Sequence, residues 1–136
     1  WLKRVGVSEL VLIGGLDRAS KADDPEELRC ILISGYKPRC DLPLINKDIY
    51  VVGPLALLAC FSEAYGLPSV IILPYAEVSR PDPRAAAIAL ETVGRLYSIS
   101  ISVEELYEDE RRIREELERI SKYHKGLEER RSMHYM

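Results

Sequence analysis

The chain has 136 residues, 47% of them hydrophobic, with 19 basic and 22 acidic side chains for a net charge of −3 at pH 7. Those figures describe one domain with a buried core, and exclude a disordered scaffold, two ordinary domains, and the strongly basic face of a nucleic-acid binder. The longest apolar stretch, 49–61, has 13 residues and is broken by Gly53-Pro54, too short for a membrane span, and no signal peptide is expected ahead of it. Cys30, Cys40 and Cys60 form no CxxC and read as reduced thiols of a cytoplasmic protein. The opening residue, Trp1 rather than methionine, reads as the sign of an upstream portion.

In chain order, the first strand is Leu10-Val11-Leu12-Ile13, stopped by Gly14-Gly15. An apolar run without polar alternation suits a strand buried on both faces, as in a parallel sheet covered by helices. Cys30-Ile31-Leu32-Ile33, Ile49-Tyr50-Val51-Val52 and Val70-Ile71-Ile72-Leu73 have the same character, the last ended by Pro74. A Leu- and Ala-rich helix is expected over 55–65, terminated by Gly66. Asp82 as N-cap and Pro83 at the first helical position set up another, to about Tyr97. The segments 17–27 and 35–48 read as irregular loops. Strands alternating with helices of this length give an α/β domain with a largely parallel sheet.

A long helix then begins at Ser102, where Ser102-Val103-Glu104-Glu105 has the form of a capping box. Residues 103, 106, 113, 117, 120 and 127 follow the three-four alternation of a heptad seam, with Glu110 and His124 at its two interrupted positions. Its outer surface pairs Glu108 with Arg112, Glu110 with Arg114, Glu115 with Arg119 and Glu118 with Lys122. Each pair is four residues apart with Glu first, worth about 0.2–0.5 kcal/mol. Two roles fit the apolar stripe: packing on its own domain, or a helix–helix contact with another subunit.

Chemistry is thinly signalled. Gly14-Gly15 after a strand, with Asp17, Glu77, Asp82 and Arg84 (beside Arg80), is the one constellation that would gather at strand ends, where α/β sheets place ligands. No GxGxxG, GxxxxGK[ST] or GxSxG is present, and neither histidine has a metal-ligating partner at the right spacing. No catalytic residue, metal site or cofactor is therefore assigned. The chain ends Ser132-Met133-His134-Tyr135-Met136, where a tyrosine beside a free carboxylate suits docking into a pocket.

Three stretches carry a resemblance: Gly53-Pro54-Leu55-Ala56-Leu57-Leu58, Tyr65-Gly66-Leu67-Pro68, and Arg80-Pro81-Asp82-Pro83-Arg84-Ala85-Ala86. With the link Ser98-Ile99-Ser100-Ile101-Ser102-Val103-Glu104-Glu105-Leu106 and the opening Trp1-to-Gly15 segment, the sequence resembles the proteasome assembly chaperone family of archaea and bacteria, over the C-terminal part of a longer member. The resemblance implies a three-layer α/β/α sandwich, no catalytic residues, homo-oligomers, and binding to proteasome α-subunits. It also implies a hydrophobic–Tyr–any tail that docks between α-subunits. Here Tyr135 matches, Met136 supplies the carboxylate, and His134 departs from the hydrophobic first position. The expected organisation is an α/β domain at 1–101 lacking an N-terminal portion, a charged helix at 102–131, and a flexible tail at 132–136. The competing reading is a small-molecule enzyme or sensor using the strand ends at Gly14, Gly15, Glu77 and Asp82.

Overall fold

The computed structural model describes residues 1–21, 25–45 and 50–134, with side chains in the last helix described as far as Gly126. In chain order come a 3-10 turn (Leu2–Val5), β1 (Leu10–Ile13), β2 (Leu16–Asp17), a second 3-10 turn (Arg18–Ser20) and β3 (Leu28–Ile33). They are followed by α1 (Pro54–Ala64), β4 (Ser69–Ala76), α2 (Pro83–Tyr97) and α3 (Glu104–His134).

β4 is the centre of the sheet, parallel to β1 and β2 and antiparallel to β3. Leu10 lies opposite Ser69 and Leu16 opposite Tyr75, the same offset in sequence, so β1 and β2 are one strand line interrupted at Gly14-Gly15. That interruption explains why β4 runs through Pro74 to Ala76 instead of stopping there. The Tyr75 N–H donates to the Glu27 carbonyl on the β3 side. By alternation the Pro74 nitrogen, which has no hydrogen, faces the gap between β1 and β2. A Cβ on Gly15 would sit 3.7 Å from the Pro74 carbonyl oxygen, which places the gap beside the proline.

The third expected strand is not formed. Tyr50, Val51 and Val52 have no strand pairing, and Ile49 lies outside the described residues. Both edges of β4 are occupied, and the outer edge of β3 is taken by an earlier segment: Cys30 N–H donates to the Pro43 carbonyl at 2.7 Å, and Ile45 N–H to the Cys30 carbonyl at 2.9 Å. The 50–52 segment instead lays Val51 on the core and turns at Gly53 (φ 77°) into α1.

The sheet is covered on both faces, as an α/β/α sandwich requires. Val70 and Ile72 pack with Leu28, Cys30, Ile88 and Leu96 on the α2 side. Ile71, Leu73 and Tyr75 pack with Leu16, Ile33, Leu55 and Ala59 on the α1 side. Val70, Ile71 and Ile72 are wholly buried, each worth about 1.5–3 kcal/mol of transfer free energy. α2 buries Ala85, Ala89, Thr92 and Leu96 at three-to-four spacing, the stripe of a helix lying on a sheet.

α3 begins one residue later than a capping box at Ser102 would have it. The amides of Leu106 and Tyr107 both donate to the Val103 carbonyl, and the Ser102 hydroxyl bonds the Glu104 carboxylate. The turn into α3 is drawn against α2: Ser98 is left-handed (φ 54°), and the Ile99 N–H donates to the Gly94 carbonyl at 3.0 Å. A Cβ on Gly94 would lie 2.9 Å from the Ile99 carbonyl oxygen, a backbone atom with no freedom to yield. Gly94→Ala should therefore destabilise the fold by about 1–3 kcal/mol, although helix propensity alone favours alanine by about 1 kcal/mol. Gly126→Ala, where the added methyl meets nothing within 4 Å, should raise the helical signal instead. Urea unfolding and far-ultraviolet circular dichroism of the two variants check the contrast.

Candidate functional site

Of the residues expected at the strand ends, Glu77 and Asp82 meet one another, whereas Asp17 and Arg84 bond elsewhere. Asp82 caps α2 through Oδ1, which accepts the Ala85 N–H at 2.9 Å. Its Oδ2 accepts the Glu77 N–H at 2.9 Å and Arg18 Nη2 at 3.3 Å. Arg18 is the hub that sequence reasoning missed. It also donates to the Tyr75 carbonyl at 2.9 Å and sets its Nε 3.4 Å from Glu77 Oε1. The side chain of Asp82 is only 5% exposed. Burial opposes its ionisation, but the Ala85 and Glu77 amides and the Arg18 guanidinium outweigh it and hold the carboxyl below the usual range.

The neighbours are equally occupied. Arg84 lies 3.3 Å from Glu27 Oε2, and Lys21 bonds the other oxygen of that carboxylate. The Lys21 hydrogen bond, with Arg84 and Arg18 nearby, keeps the Glu27 carboxyl low against the opposing effect of burial. Asp17 caps its own 3-10 turn by accepting the Ala19 N–H at 2.9 Å. Gly14 lacks the open space a phosphate cradle needs, since a Cβ there would lie 2.5 Å from Leu55 Cδ2 and 3.0 Å from Leu73 Cδ2. Gly14 and Gly15 thus serve the strand break, while Arg18, Glu77 and Asp82 tie the ends of β2 and β4 to the start of α2.

A groove of about 920 Å³ runs between Glu27, Asp41 and the α2 residues Ile88, Glu91 and Arg95, with Tyr107 at one end. On the α2 side the Tyr107 hydroxyl donates to Glu91 Oε1 at 2.9 Å, and Arg95 Nη2 to Thr92 Oγ1 at 3.3 Å. Cys30 is fully buried, and burial pushes its thiol up to about 11, so it stays protonated near neutral pH. Among the described residues no group of three His, Cys, Asp or Glu side chains is placed to hold a metal, and no helix is long and apolar enough to cross a membrane.

α3 is anchored at its base and free beyond it. Glu110, 8% exposed, sits on the seam where the sequence placed an interruption. It accepts two bonds from Arg80, Nη1 to Oε2 at 3.3 Å and Nη2 to Oε1 at 3.4 Å. Arg114 approaches the same carboxylate at 3.5 Å, and Arg112 lies 3.6 Å from Glu108, so both of these expected i,i+4 pairs are formed. Val103, Leu106 and Ile113 are part-buried, whereas Leu117, Ile120 and Tyr123 are exposed. The stripe therefore packs on its own domain for its first turns and then leaves it. Helix continues through Ser132 and Met133 to His134; Tyr135 and Met136 lie outside the described residues.

Because folding favours ionised Asp82, its contribution is full above the ordinary carboxylate range and is lost as pH falls through its own lowered value. Asp82→Ala should cost about 2–3 kcal/mol at pH 7, from the lost cap and the unpaired Arg18. The gap to the wild type should narrow in acid. Denaturant titrations at pH 7 and pH 3 test this, and an equal gap at both would refute the ionic role.

Comparison with known proteins places this geometry. A crystal structure of PbaA from Pyrococcus furiosus, described as an archaeal homologue of proteasome-assembly chaperone, superposes with a TM-score of 0.70 at 25% identity, in its monoclinic form. The match covers 98% of this chain and 57% of that one, so the chain spans little more than half the length of the relative. A second PbaA structure gives a TM-score of 0.69 at 25% identity over 89% of this chain and 56% of that chain. A protein of unknown function from Corynebacterium glutamicum shares the fold, with a TM-score of 0.63 at 12% identity, covering 90% of this chain and 46% of its own. No curated protein matches the sequence. The family model described as PAC2 family matches residues 1–121, from the first turn across the sandwich and into α3, and the chain belongs to that family.

Proposed function

We propose that this chain is a non-enzymatic proteasome assembly chaperone of the cytoplasm that self-associates and binds proteasome α-subunits through the tail at His134, Tyr135 and Met136. The observation that carries the reading is the likeness to PbaA across nearly all of this chain, together with membership of the PAC2 family. The geometry supports it in two ways. The polar residues at the strand ends have structural partners, which weighs against a small-molecule site at that place. α3 is held by Arg80 and Glu110 at its base, and from Leu117 to Tyr123 its stripe is exposed and open to a partner.

The tail works by chemistry that needs no rigid frame. An aromatic ring inserts in an apolar pocket while the terminal carboxylate meets a cation or a backbone amide. His134 in place of a hydrophobic residue weakens that contact when the imidazole is charged. The exposed distal stripe Leu117, Ile120 and Tyr123 suits a helix–helix contact between subunits, and several tails on one assembly bind a ring with raised effective concentration.

Native mass spectrometry of the full chain with purified archaeal proteasome α-subunits tests the proposal. Deletion of Tyr135-Met136 should weaken the complex about 30-fold, as expected for loss of an aromatic anchor. Equal binding by both forms would remove the tail from the mechanism, and no complex with either would remove the chaperone reading.

A further inference from the structure

Tyr107, Arg111 and Arg114 follow one another on one face of α3, four and three residues apart, and Arg84 stands across from them in the first turn of α2. With Glu110 these side chains line a notch of about 280 Å³. Three guanidiniums thus share one hollow with a single carboxylate. That carboxylate is already engaged: it accepts two bonds from Arg80, at 3.3 and 3.4 Å, and Arg114 reaches it at 3.5 Å. Arg84 meets Glu27 Oε2 as a charge at 3.3 Å, but that buried oxygen accepts no hydrogen bond, and Lys21 shares the same carboxylate. Among the described residues Arg111 has neither a hydrogen bond nor an ion pair, although Arg112 beside it has two acidic partners, Glu108 and Asp109.

A cluster of this kind specifies the charge of whatever fills it. A guanidinium keeps its proton in proteins, so covering Arg111 with a neutral surface would strand a charge. The occupant is therefore an anion, whatever supplies it. Charge and shape narrow the choice. The lining carries three positive charges and one negative, an excess of two. A carboxylate brings one charge and two oxygens, whereas a phosphoryl group brings nearly two charges and three acceptor oxygens, one for each guanidinium. Arg84 and Tyr107 also line the groove of about 920 Å³, so notch and groove meet at those side chains. The groove has the opposite character: Glu26, Glu27, Asp41 and Glu91 outnumber Arg84 and Arg95 along it. Its carboxylates repel a second phosphate and accept hydroxyl donors. Burial and the bond to Glu91 push the Tyr107 hydroxyl up, with Arg84 the nearby charge that opposes them, so the ring adds no negative charge at the junction.

We propose that the notch between α2 and α3 binds the phosphoryl group of a phosphate monoester, with Arg84, Arg111 and Arg114 on its oxygens and a hydroxyl-bearing body lying in the adjoining groove. The contact is binding alone, through charge-assisted hydrogen bonds, and no bond is made or broken. Arg111 is the discriminating residue, because no contact within the described fold uses it. The phosphoryl site is built wholly from residues between 84 and 114, inside the stretch that the family model matches. It stands apart from the chaperone reading and from the strand-end residues, and neither is needed for it.

Isothermal titration calorimetry of the full chain with ribose 5-phosphate, inorganic phosphate and ribose tests it, at pH 8, where a phosphate monoester is a dianion. Ribose 5-phosphate should bind, inorganic phosphate should bind more weakly, and ribose should give no measurable heat. Arg111→Ala should weaken ribose 5-phosphate about 10- to 100-fold with unchanged circular dichroism and urea unfolding. Arg112→Ala, one position round the helix, should leave the affinity as it is. Mass mapping after treatment with phenylglyoxal, a guanidinium reagent, adds a reading independent of variants: ribose 5-phosphate should shield Arg111 and not Arg112. No binding of ribose 5-phosphate at millimolar concentration, as when a carboxylate of the same protein already fills the notch, would overturn the proposal. So would an affinity indifferent to Arg111→Ala, an equal loss in Arg112→Ala, or inorganic phosphate binding as tightly as its ester.

Discussion

Everything in this molecule is built on a single strand that is denied water on both faces and paired along both edges. β4 has no side for polar residues, so its sequence is continuously apolar, and its neighbours must bring their own apolar faces to it. The conformational entropy of ordering the chain is large, and dense burial at Val70, Ile71, Ile72 and Leu73 is the term that opposes it. The Gly14-Gly15 break follows from the same strand. Pro74 cannot donate, so the neighbouring line needs no acceptor there, and two small residues let it pass.

The polar residues gathered at the end of β4 extend that logic. Arg18 binds the last part of β4 through the Tyr75 carbonyl and the start of α2 through Asp82, so strand, turn and helix are fixed to one another. Arg80 does the same for α3 through Glu110. Two arginines, Arg18 in the second 3-10 turn and Arg80 two residues before the Asp82 cap, thus tie down the starts of the last two helices. A partly buried carboxylate with a bidentate arginine is a directional clamp, more specific in geometry than apolar packing, and losing one member leaves the other charge stranded.

Much of this was legible in the sequence, and the failures have physical causes. The continuous apolar runs gave β1, β3 and β4, and Asp82-Pro83 placed the start of α2 because cap chemistry is local. The run Ile49-Tyr50-Val51-Val52 has the same character but forms no strand, because pairing depends on an open edge, which periodicity cannot count. Pro74 was read as a stop because a one-dimensional reading cannot know that its neighbour is interrupted. Glu110 carried a usable signal: an acid on an apolar seam needs a buried cation, and Arg80 was already in view. Arg18 gave no signal in sequence. Glu77 and Asp82 lie together at the end of β4, but proximity alone does not distinguish a binding site from a structural knot.

Among the described residues, the distal stripe of α3 and the outer face of α1 are both apolar and exposed, but differ in kind. α3 is densely charged and apolar only along a narrow stripe, which limits what it can bury alone. The outer face of α1 is broader and mostly apolar, with Lys3 and Glu63 beside it bonded to backbone groups. A tail docking through one tyrosine is weak, and its gain from multivalency exists only if neighbouring tails are held together between encounters. Each body fixes the base of its own α3 through Arg80 and Glu110. In an assembly of such bodies, the spacing of tails would then depend on that clamp as much as on the contact between copies.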